Sequence, residues 1–266
     1  MSDSVMVTRD GPIAIVTLNR PEKHNAVDLQ MFSDLAATGV SLDRDASVRV
    51  IILEGAGPSF CAGVDIGILR GQGDGIDASK MAPGTGTPAN FFQHAAYIWR
   101  EVRVPVICAM HGSVFGAGLQ IAAAADIRYA RPDCRLSIME IRWGIIPDMA
   151  ISQTLIGQVA PDRIKELAMT GRIISGEEAF TLGLVTALTA DPAAAARQAA
   201  EQIADRSPDA IRAIKRLIDN STQLSVADAL QMEAQLQLEL LAGANQSEAV
   251  RANLEKRRPE FVDAPH

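Results

Sequence analysis

Residues 104–127, with the sequence V-P-V-I-C-A-M-H-G-S-V-F-G-A-G-L-Q-I-A-A-A-A-D-I, are the stretch from which the fold can be read. The run Val106–Met110 is apolar throughout and lacks helical spacing, which is typical of a strand buried on both faces. Gly112, Gly116 and Gly118 follow, and strong helix formers come after the last glycine. The pattern predicts a buried strand, a glycine turn and a buried helix.

The glycine turn precedes helix amides that have no intrahelical partner and carry partial positive charge. A dinucleotide fingerprint would need a glycine where Ile121 stands, and the Gly-Lys-Ser/Thr of a phosphate loop is absent. Two interpretations remain. Either the amides near Ala117 bind a small anionic oxygen, or the glycines allow the helix to pack closely on the strand.

A second segment has the same organisation. An apolar strand over residues 48–53 leads into the turn S-F-C-A-G-V-D-I at residues 59–66, with a helix predicted from Asp65. Repeated strand–turn–helix units favour a layered superhelix in which both turns emerge on the same side. The amides of Val64 and Ala117 would then face one point and could stabilise an oxyanion on a carbonyl compound.

In the rest of the chain, strands and helices are both predicted before about residue 160, and only helices after it. We expect a hairpin of residues 5–8 and 13–18, a helix capped by Asp28, and a mobile surface loop over residues 71–88. From about residue 160 the spacing predicts helices over residues 161–170, 175–182, 193–206, 208–220 and 225–241. The last has an apolar stripe wide enough for a partner's surface as well as its own core.

The composition excludes several classes of protein. The chain has 266 residues, 48% hydrophobic and 21% charged, and its net charge of -7 speaks against non-specific nucleic-acid binding. It shows no apolar run of membrane-spanning length and no signal peptide, so we expect a cytoplasmic protein. Three cysteines without C-x-x-C spacing and four histidines without H-E-x-x-H pairing predict neither a disulfide framework nor a metal site.

Two carboxylates lie in otherwise apolar stretches. Glu140 occurs in I-M-E-I-R-W and Asp148 in I-I-P-D-M-A, so each needs a reason to be there. They could flank one cavity as general acid and base. The alternative for Glu140 is an ion pair with Arg142 or Arg135, and the alternative for Asp148 is an N-cap of the next helix. The spacing alone leaves these alternatives open.

Five segments together indicate a family by their order and spacing. They are N-R-P-E-K-H-N-A at 19–26, S-F-C-A-G-V-D-I at 59–66, H-G-S-V-F-G-A-G at 111–118, A-D-I-R-Y-A at 125–130 and E-K-R-R-P-E-F at 255–261. The chain resembles the crotonase family, also called the enoyl-CoA hydratase/isomerase superfamily. The resemblance implies an α/β fold with a spiral of ββα units over residues 1–200, a helical region used for trimer formation over residues 201–266, and acyl-CoA thioesters as substrates.

The resemblance also implies roles for individual residues. The amides of Val64 and Ala117 would form the oxyanion hole for a thioester enolate. The family's two hydratase glutamates fall on Gln120 and Glu140, so the first carboxylate is missing. The pair Glu140 and Asp148 is similar to that of dienoyl-CoA isomerases, which usually add an aspartate at position 120. Double-bond isomerisation is favoured; the alternatives are a hydratase, with Glu140 alone or on a specialised substrate, and a non-catalytic acyl-CoA-binding homologue.

For coenzyme A, which would be part of the substrate rather than a permanently bound cofactor, the basic residues of the first motif are expected near the phosphates. The positions expected to contact the thioester are Arg20, Lys23, Ala26, Ala62, Gly63, Asp65, Ile66, Phe115 and Gly116. The acyl pocket is expected to include Phe115, Trp143, Met149 and part of residues 66–92. The expected assembly is a homotrimer or a dimer of trimers, with no nucleic-acid or membrane partner.

Overall fold

The computed structural model describes residues 3–70 and 78–263 of the chain. The strands of these ranges are β1 Val5–Asp10, β2 Ile13–Leu18, β3 Val50–Gly55, β4 Val106–Met110, β5 Ser113–Phe115, β6 Ile127–Ala130, β7 Arg135–Ser137, β8 Ile174–Ser175 and β9 Ala187–Leu188. The α-helices are α1 Leu29–Asp43, α2 Ile66–Leu69, α3 Phe91–Glu101, α4 Ala117–Ala123, α5 Ile151–Thr154, α6 Pro161–Thr170, α7 Gly176–Thr181, α8 Pro192–Ala204, α9 Pro208–Ser221, α10 Val226–Leu240 and α11 Ala244–Glu255. Short 3-10 helices cover Pro21–Lys23, Ala78–Met81 and Glu140–Trp143.

The strands form two sheets. The larger sheet has the order β1-β2-β3-β4-β6-β9 and the smaller one the order β5-β7-β8. In the larger sheet β1 and β2 form the predicted antiparallel hairpin, and every later pairing is parallel. In the smaller sheet β5 and β7 are parallel, whereas β7 and β8 are antiparallel. Parallel neighbours within both sheets indicate a structural unit that repeats along the chain.

The repeating unit is one strand in each sheet followed by a helix. It is complete in β4, β5 and α4. An earlier copy runs from β3 through Cys61, which forms a parallel bridge with Val114 of β5, into α2. The chain thus has the crotonase-type spiral of ββα units that the resemblance implied, and both glycine turns occupy the same place in their units.

The apolar strands of the larger sheet are buried on both faces. In β3, Ile51 and Leu53 join the core shared with α1, α3 and α4, while Val50 and Ile52 join a second cluster under α8. Ala196, Ala200 and Ala204 line α8 on that side, at a spacing that places them on one helix face. Burial on both faces explains why these strands have continuous apolar sequences.

Most predicted elements are present, although several begin or end at residues other than those predicted. The strand expected at 48–53 is β3, and β4 and α6 begin and end at the predicted residues. Residues 71–77 of the expected loop lie outside the described ranges. The prediction of irregular structure is wrong for part of the remainder, because Ala78–Met81 forms a 3-10 helix and Pro83 bridges Asn90.

The last two helices leave several large apolar side chains exposed. On α10 only Leu236 is buried, whereas Val226 is 79% and Leu238 71% exposed; on α11, Leu254 is 79% exposed. Within residues 3–70 and 78–263, none of the helices combines the length and the apolar character needed to cross a membrane.

Candidate functional site

The two glycine turns are joined directly by backbone hydrogen bonds. The Cys61 amide donates to the Ser113 carbonyl oxygen at 3.0 Å, and the Phe115 amide donates to the Cys61 carbonyl oxygen at 3.0 Å. These bonds align the first turn with β5, which ends one residue before the second turn. The predicted convergence of the turns is therefore present in the fold.

Gly63 lies where the turns meet. Its φ is +102°, in the region that favours glycine, and a Cβ at this position would come within 3.1 Å of the Phe115 carbonyl oxygen. The same Cβ position lies 4.0 Å from the Ala117 amide nitrogen. Any side chain here would therefore push on the backbone that carries the start of α4.

The amides of Val64 and Ala117 have no acceptor within the described part of the chain. Val27 binds both neighbours of Val64, because its amide donates to the Gly63 carbonyl oxygen and its carbonyl oxygen accepts from the Asp65 amide. In a parallel bridge of this kind the Val64 N–H points away from Val27. The Ala117 N–H is the first of α4 and has no intrahelical acceptor.

Of the two interpretations of the glycines, close packing applies to Gly118, while binding of an anionic oxygen near Ala117 stays a prediction. A Cβ on Gly118 would lie 2.6 Å from the Cβ of Cys61, so this glycine serves close packing of α4. A Cβ on Gly116, whose φ is +50°, would instead lie 3.3 Å from Oε1 of Glu140. Gly116 therefore faces one of the predicted proton carriers.

Glu140 begins a 3-10 helix, and only 8% of the residue is exposed. Its Oε1 accepts a hydrogen bond of 2.6 Å from Nε2 of Gln120. Its Oε2 is buried and has no hydrogen-bond partner among the described residues. A buried carboxylate oxygen without a donor is costly in a folded protein and often marks a site where a ligand or water binds.

The ion pairs considered for Glu140 are not formed. The side chain of Arg142 lies against Gly171 instead, since a Cβ on that glycine would be 3.5 Å from Nε of Arg142. The guanidinium carbon of Arg135 stands 5.6 Å from the centroid of the Phe115 ring. Glu140 is therefore not neutralised by either arginine.

Asp148 does not cap a helix, so that prediction is wrong. The next helix, α5, begins at Ile151, and Ala150 occupies the N-cap position with φ of 65°. The left-handed conformation of Ala150 and the preceding Pro147 turn the chain before the helix starts. Asp148 is left half-buried in an irregular segment.

Gln120 connects this segment to Glu140. Its Oε1 accepts a hydrogen bond of 2.8 Å from the Met149 amide, while its Nε2 donates to Glu140. Gln120 is 1% exposed and Met149 2% exposed, so both bonds are shielded from water. One side chain from α4 thus holds the two carboxylate-bearing segments together.

Burial dominates the titration of both carboxyl groups. Desolvation raises the pKa of Glu140, hydrogen bonds from its own backbone amide and from Gln120 oppose this rise, and the negative charge of Asp148 adds to it. Desolvation also raises the pKa of Asp148. Each group holds a proton more firmly than in water, and Asp148 lies close enough to Glu140 for their charges to interact.

Arg20 is occupied by acidic neighbours. It forms ion pairs of 3.2 Å with both Asp28 and Asp65, and its guanidinium also donates to the carbonyl oxygen of Ala26. Arg20 therefore connects the first motif to the turn at Gly63, with much of its charge balanced by carboxylates.

Lys23 is exposed on the same motif. The pKa of Asp65 is lowered mainly by the hydrogen bond from the Gly67 amide, with smaller contributions from the nearby charges of Arg20 and Lys23. The Ala62 amide donates to the carbonyl oxygen of the residue after Lys23 at 2.9 Å. The structure thus brings the predicted coenzyme A positions of both motifs to one edge of the site.

Two sets of contacts that hold the site, those of the Asn25 side chain and of the Met149 amide, were not anticipated. Asn25 is fully buried and its amide nitrogen donates to the carbonyl oxygens of Ala56, Ser59 and Phe60. It anchors the first motif to the turn after β3, and its place in the N-R-P-E-K-H-N-A segment was the signal available. The Met149 amide had no sequence signal, because every residue except proline carries a backbone N–H.

A separate cavity of about 540 Å³ lies between α3, α9 and α10. Among its charged lining residues, Arg100 pairs with Asp219 and Lys215 pairs with Asp126. It includes none of the predicted site residues.

The sequence and the fold have many counterparts. The family model described as Enoyl-CoA hydratase/isomerase matches residues 8–264. The chain is 33% identical over 260 residues, 95% of this chain and 94% of the relative, to the peroxisomal Delta(3,5)-Delta(2,4)-dienoyl-CoA isomerase of Arabidopsis thaliana. It is 30% identical over 258 residues, 96% of this chain and 95% of the relative, to an enoyl-CoA hydratase of Mycobacterium tuberculosis. The crystal structure of an enoyl-CoA hydratase from Bacillus anthracis superposes with a TM-score of 0.88 at 29% identity, covering 98% of this chain and all of that one.

The chain belongs to the enoyl-CoA hydratase/isomerase family of acyl-CoA enzymes. The matched relatives include both hydratases and an isomerase, and more of them are named hydratase.

Proposed function

We propose that the protein isomerises the double bonds of an enoyl- or dienoyl-CoA thioester through an enolate. One observation carries this proposal: Gln120 holds Glu140 through Nε2 and the backbone beside Asp148 through Oε1, so both of its ends are engaged by protein groups and Glu140 and Asp148 are left as the carboxyl groups for proton transfer. An isomerase needs one group to remove a proton and another to return one elsewhere. The Arabidopsis relative named as a dienoyl-CoA isomerase supports the same direction.

The oxyanion hole is proposed at the amides of Val64 and Ala117. The thioester oxygen would accept hydrogen bonds from these two N–H groups, which have no protein acceptor in the described part of the chain. As the proton leaves the carbon beside the thioester, negative charge moves onto this oxygen, so donors fixed there stabilise the transition state. Glu140 lies against Gly116 next to this point.

Two carboxyl groups are sufficient for the proton transfers of the isomerisation. Glu140 as carboxylate takes a proton from the carbon beside the thioester through its free Oε2, and the electron pair spreads into the conjugated system. Asp148 as acid then gives a proton to the far carbon of that system. After the step Glu140 is protonated and Asp148 ionised, and proton exchange with solvent or between the two groups restores the starting state.

Hydration is the second candidate, favoured by the names of most relatives. By the family's usual route it requires two carboxylates to hold and activate one water. The first falls on Gln120, which is a poor base and whose amide already bridges Glu140 and Met149. A hydratase would therefore act with Glu140 alone or on a substrate that supplies the missing group. The third alternative, acyl-CoA binding without turnover, leaves the second carboxyl group without a role.

A substrate panel separates these functions. We expect conversion of 3-enoyl-CoA or 3,5-dienoyl-CoA to the conjugated product, with slow hydration of crotonyl-CoA. Fast hydration that requires Glu140 and is unaffected by Asp148→Asn would exclude the isomerase. Tight calorimetric binding of the thioesters with no turnover of any of them would favour the non-catalytic alternative.

We also propose that coenzyme A lies along the edge formed by Lys23, Ala62 and Ile66, with Lys23 as the basic group for a phosphate. Lys23 is exposed and has no ion pair within the described ranges, whereas Arg20 is held by two aspartates. Charge that is not already balanced is available to an anionic ligand.

The assembly is proposed to be a homotrimer or a dimer of trimers. The exposed apolar residues of α10 and α11 described above leave a surface that the protein's own chain does not cover. Exposed apolar surface of this kind favours association. Analytical ultracentrifugation should give three or six chains per particle, and a monomer at micromolar concentration would contradict the proposal.

A further inference from the structure

Gln120 makes different bonds to the two halves of the proposed acid–base pair. Its Nε2 donates to Glu140 Oε1 at 2.6 Å, and its Oε1 accepts from the Met149 amide at 2.8 Å. Met149 adjoins Asp148, so the second bond fixes the backbone beside that carboxyl group.

The orientation of the amide is set by its two partners. The Met149 N–H can only donate, so it must face the oxygen of Gln120. The nitrogen then faces Glu140, and the reverse orientation would place two donors together and an oxygen against the Glu140 carboxyl. Gln120 can therefore donate to Glu140 but cannot take a proton from it.

On the basis of the isomerase function proposed above, we propose that Gln120 is a positioning residue that assigns the starting roles of the pair, keeping Glu140 as the carboxylate and leaving the proton on Asp148. An N–H group that is fixed as a hydrogen-bond donor favours the ionised form of the carboxyl group it faces. With Oε1 held by Gln120, Oε2 remains as the oxygen that exchanges the proton.

The charges around Glu140 agree with this assignment. The charged group whose field acts on it is Asp148, while Arg142 and Arg135 lie against Gly171 and Phe115. The hydrogen bond from Gln120 lowers the pKa of Glu140 against burial and the charge of Asp148. Burial raises the pKa of Asp148 as well; a hydrogen bond from its own backbone amide opposes that rise, and Gln120 makes no hydrogen bond to its carboxyl group.

The test is a direct titration of Glu140 in the full-length protein and in Gln120→Met, which has similar volume and lacks both hydrogen bonds. Carbon NMR of the labelled carboxyl group, with the signal assigned by Glu140→Gln, gives the pKa without requiring turnover. We expect it to rise by about one pH unit or more in Gln120→Met, because hydrogen bonds to charged groups are of that size. The acid limb of kcat/KM should move the same way.

Gln198→Met, an exposed substitution on α8, is the matched control and should leave the titration unchanged. If Gln120→Met fails to fold, Gln120→Asn retains the amide but is too short to reach both partners, and the same upward shift is expected. An unchanged pKa of Glu140 in a folded Gln120 variant would overturn the inference. If the wild-type enzyme hydrates rather than isomerises, the proposed function fails, but the titration still decides the role of Gln120.

Discussion

The carboxyl group of Glu140 lies against the backbone of Gly116, since a Cβ added to Gly116 would come within 3.3 Å of Glu140 Oε1. Ala117 follows Gly116 in the sequence, so Glu140, the proposed base, lies against the residue next to one proposed oxyanion donor. The position of Glu140 therefore depends on the absence of a side chain at residue 116.

Gly116→Ala should lower kcat strongly, because the added methyl group displaces the Glu140 carboxyl and strains a residue with φ of +50°. A misplacement of this kind can cost about a hundredfold in rate. Gly11→Ala is the matched control, since Gly11 has φ of +54° and nothing within 4 Å of a Cβ. Both variants should lose thermal stability, because each places a side chain at a positive φ, but Gly11→Ala should keep full activity. Equal activity losses in both variants would contradict the role given to Gly116.

Glu140→Gln should make the folded protein more stable at about pH 8 while abolishing turnover. The pKa of Glu140 is raised on folding, chiefly by burial, so the folded state binds more protons and stability falls as pH rises from the unfolded pKa through the folded one. Removing this ionisation should gain about 1.4 kcal/mol for each pH unit by which the pKa is raised.

Urea unfolding at about pH 8 and about pH 3 measures this difference, which should nearly vanish at the lower pH because the carboxyl is then almost fully protonated in both states. The exposed Glu201→Gln is the control and should follow the wild type at both values. A Glu140→Gln variant less stable than wild type at the higher pH would mean that the ionised carboxylate stabilises the fold.

Gln120→Glu should shift the enzyme from isomerisation towards hydration. The substitution supplies the first carboxylate of the hydratase pair and forces two carboxyl groups to share protons at hydrogen-bond distance. We expect the ratio of crotonyl-CoA hydration to dienoyl-CoA isomerisation to rise by at least about tenfold, within the range of general acid–base effects. A ratio equal to that of the wild type would show that residue 120 does not select the reaction.

Lys23→Ala should raise KM for coenzyme A thioesters and leave kcat nearly unchanged, because a surface charge contributes to binding of the phosphates and not to the proton transfers. The increase should be larger at low ionic strength, since salt screens exposed charges. Lys165→Ala on α6 is the control, as it removes an exposed lysine from another element. A KM unchanged by Lys23→Ala at low salt would place the phosphates elsewhere.

The sequence predicts the elements that are strongly apolar. Val106–Met110 is a strand at the predicted residues because its side chains fill two cores at once, which leaves a continuous apolar run. The β5 strand was not predicted, because its residues lie within the segment interpreted as a glycine turn. It has three residues and exists because it pairs with β7 and with Cys61, and such pairing leaves no local pattern.

The sequence singles out the two carboxylates of the candidate site but not the contacts that connect them. Glu140 and Asp148 stand out as carboxylates in apolar surroundings, and the fold places Asp148 where its charge raises the pKa of Glu140. The N-cap predicted for Asp148 was wrong because Ala150 adopts a left-handed conformation that its sequence does not require. The Gln120 bridge joins a side chain to a backbone amide 29 residues away, and only the fold brings these together.

The most direct test of the two-carboxyl mechanism uses 3,5-dienoyl-CoA in heavy water with wild type, Glu140→Gln and Asp148→Asn. Ultraviolet absorbance follows the conjugated product, and mass spectrometry follows deuterium at the carbon beside the thioester. We expect Glu140→Gln to lose both isomerisation and exchange, and Asp148→Asn to lose isomerisation while Glu140 still catalyses exchange. Isomerisation by Asp148→Asn at the wild-type rate would contradict the account.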